Sequence, residues 1–341
     1  MPRHRIALIG LGMAVTPHAK SLLDLGGRVE VAWAMSRSAA RREAFAARFP
    51  FPTTDNLGGI IEDRSIMAVA VLTPPNTHLE IATEFAKVGK HILLEKPLDI
   101  STARAEQLVA ACRDAGVTLG VVLQHRFKPA AERLAAILRA GGLGQIVNCS
   151  TSIRLWRPQS YYDEPGRGTK ARDGGGVLMT QGIHTLDLML SLAGPIVEVS
   201  GYTRTSPVHR METEDLVCAA VRFASGAVGV IDATTAAYPG GPERIELIGT
   251  LGTASLAGTA LTVRFHDGRS EELAADASPG GTGADPMAFP HDYHLGVWRD
   301  FLDAIKRKRP PRVSGAEALK VHTLIDGLLA AGAAGRAVDI R

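Results

Sequence analysis

The sequence predicts an α/β chain: an N-terminal doubly wound parallel sheet, followed by an α+β domain whose sheet is mainly antiparallel. Three observations predict it. Short apolar runs alternate with helix-periodic segments throughout residues 5–123, the pattern of parallel strands joined by crossover helices. After a helix over Pro129–Arg139, strand-like runs dominate and several are joined by short turns such as Ala224-Ser225-Gly226, which reads as an antiparallel meander. At 341 residues the chain is too long for one typical core, so two domains are expected, at 1–124 and 125–341.

Composition narrows the class. Apolar residues make up 45% and charged residues 21%, the balance of a soluble globular protein. A net charge of +3 is too small to imply a nucleic-acid partner. The one basic cluster, Lys306-Arg307-Lys308-Arg309, ends a helical pattern before Pro310, where cations complement the helix dipole. Cys112, Cys149 and Cys218 are far apart in apolar-periodic segments, as buried thiols in a reducing compartment would be. No apolar run reaches about 18 residues, so no membrane is expected. The chain enters a strand almost at once, which leaves no secretory signal. A cytoplasmic location follows.

The elements can be taken in order. Arg5–Ile9 is a first buried strand, and Gly10-Leu11-Gly12-Met13-Ala14-Val15 leads into a helix that Gly26-Gly27 stops. Strand, Gly-x-Gly and helix open a dinucleotide-binding unit: Gly10 permits the tight turn, and Gly12 lets the backbone approach a pyrophosphate at the helix N-terminus. Val15 replaces the third glycine of that fingerprint. Met13 and Ala14 belong to the same loop. Val29–Met35 is the second strand. Where an acid would bind the ribose 2′-hydroxyl of NAD, this chain has Ser36-Arg37-Ser38, with Arg41-Arg42 beyond. A hydroxyl and guanidinium groups suit a 2′-phosphate, so NADP(H) is the expected cofactor, with NAD(H) still admitted.

Ile66–Leu72 is the next apolar run, stopped by Thr73-Pro74-Pro75-Asn76-Thr77-His78. Thr77 is expected to cap a helix whose buried face is Ile81, Phe85 and Val88. Ile92–Leu94 ends abruptly in Glu95-Lys96-Pro97. Charged groups at the C-terminal edge of a parallel sheet stand where open α/β folds bind ligands. Ser101 caps the following helix, with Ala105, Leu108, Val109 and Cys112 on one face and Gly116 at its end. Val117–Leu123 closes the first sheet.

In the second half, strands are expected at Gln145–Leu155, Val197–Arg204, Asp215–Phe223, Ala227–Ala233, Arg244–Ile248, Thr253–Leu256 and Leu261–Phe265. A helix over His184–Leu192 follows Gly174-Gly175-Gly176, which places His184 on its first turn. Residues 271–288 read as a loop, and helices over Tyr293–Lys306 and Gly315–Ala331 close the chain. His291 and His294 lack acids or cysteines at metal-ligand spacing, so no metal is expected.

Several motifs occur together in one order: Gly10-x-Gly12 with His18, Thr73-Pro74-Pro75-Asn76-x-His78, Glu95-Lys96-Pro97, Gly174-Gly175-Gly176, His184-x-x-Asp187, Phe301-x-x-Ala304-Ile305 and Pro311-x-Val313-x-Gly315. In this the chain resembles the glucose–fructose oxidoreductase / inositol dehydrogenase / rhizopine-catabolism (Gfo/Idh/MocA) family over essentially its whole length. The resemblance implies a Rossmann domain, then an α+β domain on a large open-faced sheet. It implies an NAD(P)-dependent oxidoreductase acting on a sugar, polyol or related compound. It maps the family's lysine, which contacts substrate hydroxyl and nicotinamide ribose, onto Lys96. It maps the glutamate near the cofactor onto Glu95, the helix histidine onto His184 and the following aspartate onto Asp187. Many members carry an aspartate four residues before that histidine; here it is Thr180, which shifts weight to Lys96 and His184 as the catalytic pair.

The expected site follows from these residues. Alcohol oxidation needs a base near the working pH; a lysine reaches it when desolvation and a cationic nicotinamide ring depress it, and a histidine starts there. Cofactor contacts are expected from Gly10, Gly12, Met13, Ala14, Ser36, Arg37, Arg41, Thr73, Pro74, Asn76, His78, Glu95, Lys96 and Gln124. Substrate contacts are expected from Lys96, Arg126, Trp156, Arg157, Tyr161, Arg167, Thr180 and His184, since aromatic faces beside hydrogen-bonding groups suit a polyhydroxylated ring. The substrate would be a sugar, polyol or sugar acid. Apolar residues in strands such as Val217–Val221 and Val228–Ile231 alternate onto both sheet faces, so a homodimer or homotetramer through the open face is expected. The competing expectation is a non-catalytic dinucleotide- or sugar-binding sensor of the same fold.

Overall fold

The computed structural model describes residues 3–275 and 290–340. The chain divides into two compact units: Met1–Leu123 with Pro290–Leu319, and Gln124–Phe289 with Lys320–Arg341. The division after Leu123 lies one residue from the expected boundary. The return of 290–319 to the first unit was not expected, and packing explains it. The helix Asp292–Arg307 buries Trp298, Phe301 and Leu302 and packs on the first helix, Val15–Asp24. Arg28 Nη2 bonds Asp303 Oδ1 at 2.5 Å. Val121 N donates to Val313 O at 2.9 Å, which covers the sheet's open edge.

The first unit holds a six-stranded sheet of β1 (His4–Ile9), β2 (Val29–Met35), β3 (Thr53–Thr54), β4 (Ala68–Val71), β5 (His91–Leu94) and β6 (Leu119–Val121). Their order is β3-β2-β1-β4-β5-β6, and every pair is parallel. Ile6, Leu8, Val69, Val71, Ile92 and Leu94 are all wholly buried, because helices cover both faces of a parallel sheet. Strand order reverses between β1 and β4, the switch point outside which such sheets bind ligands. The loops after β1, β4 and β5 all leave from that edge.

One helix differs from its expected form. His78–Lys87 buries His78, Ala82, Phe85 and Ala86, while Val88 is 48% exposed. Its N-terminus is satisfied not by Thr77, which makes no cap bond, but by Asp99, whose Oδ2 accepts from Leu79 N at 3.0 Å. Asp99 is wholly buried and pairs with Arg104 Nε at 2.6 Å. A carboxylate at a helix N-terminus does the work of a cap with charge added.

The second unit is built on a nine-stranded sheet: β7 (Ile146–Arg154), β8 (Ile196–Arg204), β9 (Leu216–Phe223), β10 (Val228–Thr234), β11 (Arg244–Gly249), β12 (Gly252–Ala257), β13 (Ala260–Phe265), β14 (Ser270–Leu273) and β15 (Val338–Asp339). The order is β14-β13-β12-β11-β7-β10-β9-β8-β15. Only the β7–β10 pair is parallel, so the expected mainly antiparallel sheet is what forms. The helices Pro129–Arg139 and Ile183–Ala193 pack on one face. The opposite face exposes Tyr202, Val228 and Val230 at 70%, 54% and 48%.

β14 occupies the start of the expected 271–288 loop, and residues 276–288 of that loop lie outside the described residues. β3 and β15 are two-residue edge strands without alternation to announce them. The closing helices run Asp292–Arg307 and Gly315–Ala334. Among the described residues no helix is long and apolar enough to cross a membrane.

Candidate active site

Beginning at the switch point, Gly10 has φ 104°, and a Cβ there would lie 2.9 Å from the Leu72 carbonyl carbon and oxygen. Only glycine lets the end of β1 turn so close to the end of β4. A Cβ on Gly12 would meet nothing within 4 Å, so packing does not demand this glycine; its absent side chain leaves the loop open. The amides of Gly12, Met13 and Ala14, at the start of Val15–Asp24, make no hydrogen bond to the described residues. Unpaired donors at the positive end of a helix are what a pyrophosphate requires, and this loop fits a dinucleotide.

At the end of β2, Ser36 is buried and Arg37 and Arg41 are exposed. Ser36 Oγ accepts from Ser38 N at 3.3 Å, and Ser38 Oγ from Arg41 N at 3.4 Å, capping the helix Ala39–Ala46. Arg42 is engaged elsewhere: its Nη1 bonds the Ser36 carbonyl at 2.7 Å and its Nη2 lies 3.4 Å from Asp55.

At the ends of β4 and β5, Pro74 and Asn76 are exposed, and Thr73 and Lys96 are half-buried. The Lys96–Pro97 bond is cis. His78 corrects the expectation of a cofactor contact. It is wholly buried, with Nε2 2.8 Å from the Thr73 carbonyl and Nδ1 3.0 Å from that of Pro97. Its ring ties the two loops together from below, and burial holds its pKa below the ordinary histidine value despite those carbonyls.

Beneath Lys96 lies a cluster that sequence spacing hid. Trp298 Nε1 donates to His18 Nδ1 at 3.0 Å. His18 Nε2 stands 2.9 Å from Glu95 Oε1, and Glu95 Oε2 accepts from Lys96 N at 3.1 Å. The His294 ring meets His18 edge-on at 5.1 Å. Among the described residues, His18, Glu95 and His294 bring ligand-type atoms within 4.8 Å of one another. An indole N–H only donates, so His18 Nδ1 accepts and its proton sits on Nε2, facing Glu95. A cation would have to displace that proton; the arrangement is a hydrogen-bonded dyad. Burial pushes the Glu95 carboxyl up, but the hydrogen bond from His18, with the Lys96 ammonium nearby, outweighs it and holds it below the usual range. Burial, then His18, pushes His294 down to about 3.

In the second unit, Gly174-Gly175-Gly176 brings the chain against Glu214. A Cβ on Gly176 would lie 1.7 Å from the Glu214 carbonyl oxygen. The Glu214 carboxylate accepts from Gly176 N at 3.1 Å and Leu178 N at 3.2 Å, capping the helical run that starts at Val177. That run passes through a π turn, Leu178–Gly182, into Ile183–Ala193. His184 therefore stands on the first turn of the α-helix Ile183–Ala193, as expected, with a π turn leading into it. Burial raises the Glu214 pKa despite its backbone bonds.

His184 is half-buried, its ring centroid 5.0 Å from that of His125. Arg126, expected to wall the substrate, clasps Asp187 through its guanidinium with bonds of 2.7 and 2.6 Å. Thr180 Oγ1 donates to the Gly176 carbonyl at 2.7 Å. Gln124 is buried, and its Oε1 meets no hydrogen-bond donor among the described residues. Tyr161 is gripped by two of the expected residues: Arg167 Nη1 bonds its hydroxyl at 2.9 Å, and the Arg157 and Arg167 guanidiniums lie 5.8 and 4.3 Å from its ring. Trp156 packs edge-on against Tyr238 at 5.4 Å. Sequence reasoning missed what fixes this wall: His209 bonds Asp215 at 2.6 Å and the Arg157 carbonyl at 2.8 Å, both side chains fully buried.

Comparison with known proteins agrees with this architecture. Residues 4–123 match a family described as "Oxidoreductase family, NAD-binding Rossmann fold", and residues 131–255 match the "GFO/IDH/MocA C-terminal domain". The myo-inositol 2-dehydrogenase of Thermotoga maritima is 26% identical over 322 residues, covering 92% of this chain and 91% of that protein. The levoglucosan dehydrogenase of Pseudarthrobacter phenanthrenivorans is 25% identical over 86% of this chain and 85% of its own. The crystal structure of the WlbA dehydrogenase from Bordetella pertussis, in complex with NADH and UDP-GlcNAcA, superposes with a TM-score of 0.85 at 26% identity, over 100% of this chain and 99% of that one.

Proposed function

This chain belongs to the Gfo/Idh/MocA family of oxidoreductases, and from that premise we propose that it moves a hydride between a nicotinamide dinucleotide and the hydroxyl-bearing carbon of a sugar, polyol or sugar acid. It is a dehydrogenase acting on CH–OH groups. The observation that carries the finer reading is the meeting, at one sheet edge, of three unpaired loop amides with a lysine held by its own turn. A bound nicotinamide supplies the hydride acceptor or donor. Gly12, Met13 and Ala14 hold the pyrophosphate through their amides, with Gly10 shaping the turn and Thr73, Pro74, Asn76, Glu95 and Gln124 lining the rest. Lys96 takes the hydroxyl proton during oxidation and returns it during reduction, and His184 assists. His78 positions the loops without touching the cofactor.

NADP(H) is the proposed preference, with NAD(H) accepted. Ser36 leaves no carboxylate to repel a 2′-phosphate, and the exposed Arg37 and Arg41 are at hand to pair with it. The relatives named for myo-inositol and levoglucosan support a polyhydroxylated substrate, as does the Trp156, Arg157, Tyr161 and Arg167 wall. The exposed apolar face of β8 to β10 supports a homodimer, or a tetramer of such dimers, by sheet-to-sheet packing; sedimentation at micromolar concentration tests it. A reducing cytoplasm suits the free thiols Cys112, Cys149 and Cys218.

The deciding experiment is a screen of sugars, polyols and sugar acids with NAD and NADP, following absorbance of the reduced cofactor. Turnover of a polyol or sugar supports the reading. Tight cofactor binding without turnover of any such compound would overturn the proposed substrate class.

A further inference from the structure

We propose that Trp298 is a positioning residue of the dinucleotide site: its indole N–H locks His18 into one tautomer, and His18 in turn fixes the Glu95 carboxylate against the Lys96 amide.

The proton count leaves one arrangement. Trp298 Nε1 is 3.0 Å from His18 Nδ1 and donates to it, so Nδ1 carries no hydrogen; a hydrogen there would face the indole hydrogen head-on. The remaining imidazole proton is on Nε2, 2.9 Å from Glu95 Oε1. Glu95 is then ionised, one oxygen accepting from His18 and the other from Lys96 N at 3.1 Å. His18 and Trp298 are wholly buried, so water offers no alternative partner. The groups facing Glu95 are His18 from the first helix, His294 from Asp292–Arg307, and Lys96 beside it. His294 stays neutral, pushed down to about 3 chiefly by burial. The residue that sets the tautomer comes from the returning segment 290–319 and is itself remote from the sheet edge in sequence.

A packing role alone would not choose between imidazole nitrogens, which makes the inference testable. In Trp298→Phe the ring remains and the donor is lost. His18 then shares its proton between Nδ1 and Nε2, and in the Nδ1–H form a lone pair faces Glu95. The carboxyl loses a bond that favours its charged form, so its pKa rises and the acid limb of the kcat/KM profile moves to higher pH.

The experiment uses the full chain labelled with 15N-histidine. Long-range 1H–15N correlation of wild type is expected to give His18 a bare Nδ1 and a protonated Nε2; a protonated Nδ1 overturns the proposal. In Trp298→Phe a tautomer mixture is expected, kcat falling between about tenfold and a hundredfold, as slight misplacement of a reacting group does, with KM changed less than about threefold. An unchanged tautomer, or a lower melting temperature with an unmoved acid limb, reduces Trp298 to packing and overturns it. The kinetic arm rests on the dehydrogenase reading above. If the screen finds no substrate, that reading fails, and the tautomer of wild type and variant still decides this one.

Discussion

Gly176→Ala isolates what the glycine triplet does. The added Cβ would stand 1.7 Å from the Glu214 carbonyl oxygen and 2.8 Å from its side-chain carboxyl carbon. Carbon and oxygen need roughly 3.3 Å, so backbone on one side has to move by more than an ångström. Movement strains the bond from Val177 N to Glu214 O, 2.8 Å, and those from Gly176 N and Leu178 N to the carboxylate. Overpacking costs about 1–3 kcal/mol, and each lost bond adds about 1 kcal/mol. A destabilisation of about 4 kcal/mol is expected, or a fall in Tm of about 10 °C for a unit of this size. Circular dichroism melts of wild type and variant measure it. Gly12→Ala is the matched control: with nothing within 4 Å of its Cβ, it should melt with wild type yet bind dinucleotide at least about tenfold more weakly, because the new methyl fills the space beside the amides. If Gly176→Ala melted within about 2 °C of wild type, the close approach to Glu214 would not be holding the helix that carries His184.

Lys96→Ala should nearly abolish turnover while leaving cofactor affinity within about threefold, since the proposed pyrophosphate site is the loop amides; weak cofactor binding with normal turnover per bound complex would remove it from the chemistry. Ser36→Asp should reverse the preference for NADP(H), worth about 1.5–3 kcal/mol for a charge-assisted contact before solvent trims it; equal wild-type affinities for both cofactors in calorimetric titration would mean Arg37 and Arg41 point to solvent. Stability should fall in acid. His294 is held at about 3 in the folded chain against about 6.5 for an ordinary histidine, so the stability of its neutral form is present above about 6.5 and lost as pH falls toward 3. Each such group contributes a slope of about 1.4 kcal/mol per pH unit, and His78 shifts in the same direction. The urea midpoint should therefore drop between about pH 7.5 and about pH 5; a constant midpoint would place both imidazoles in contact with water.

The parallel sheet was legible because β1, β4 and β5 are apolar runs closed by glycine or proline, signals that act over a few residues. The helix Pro129–Arg139 came out to the residue, its proline suited to the first turn. The failures share a cause. Asp99 caps the helix beginning at His78 from 20 residues away, and no local rule points to it. Ser270–Leu273 reads Ser-Glu-Glu-Leu, polar enough for a loop, and becomes a strand only by pairing with β13. Lys96 and His184 announced themselves through adjacent motifs. The Trp298 to His18 contact spans 280 positions, and the Arg126 to Asp187 pair spans 61.

The first unit's discontinuity has a consequence for how the protein is made. A ribosome adds about 5–20 residues per second, so roughly ten to thirty seconds separate the emergence of Leu123 from that of Pro290, the start of the returning segment. Through that interval a nascent chain has β1 to β6 but lacks the helix that receives His18 and Ser21, and Gly120 has no Phe301 ring lying over it. An N-terminal fragment cut at Leu123 would be held in the same unfinished state, and chaperones would meet the enzyme with its nucleotide-binding half still open along one side.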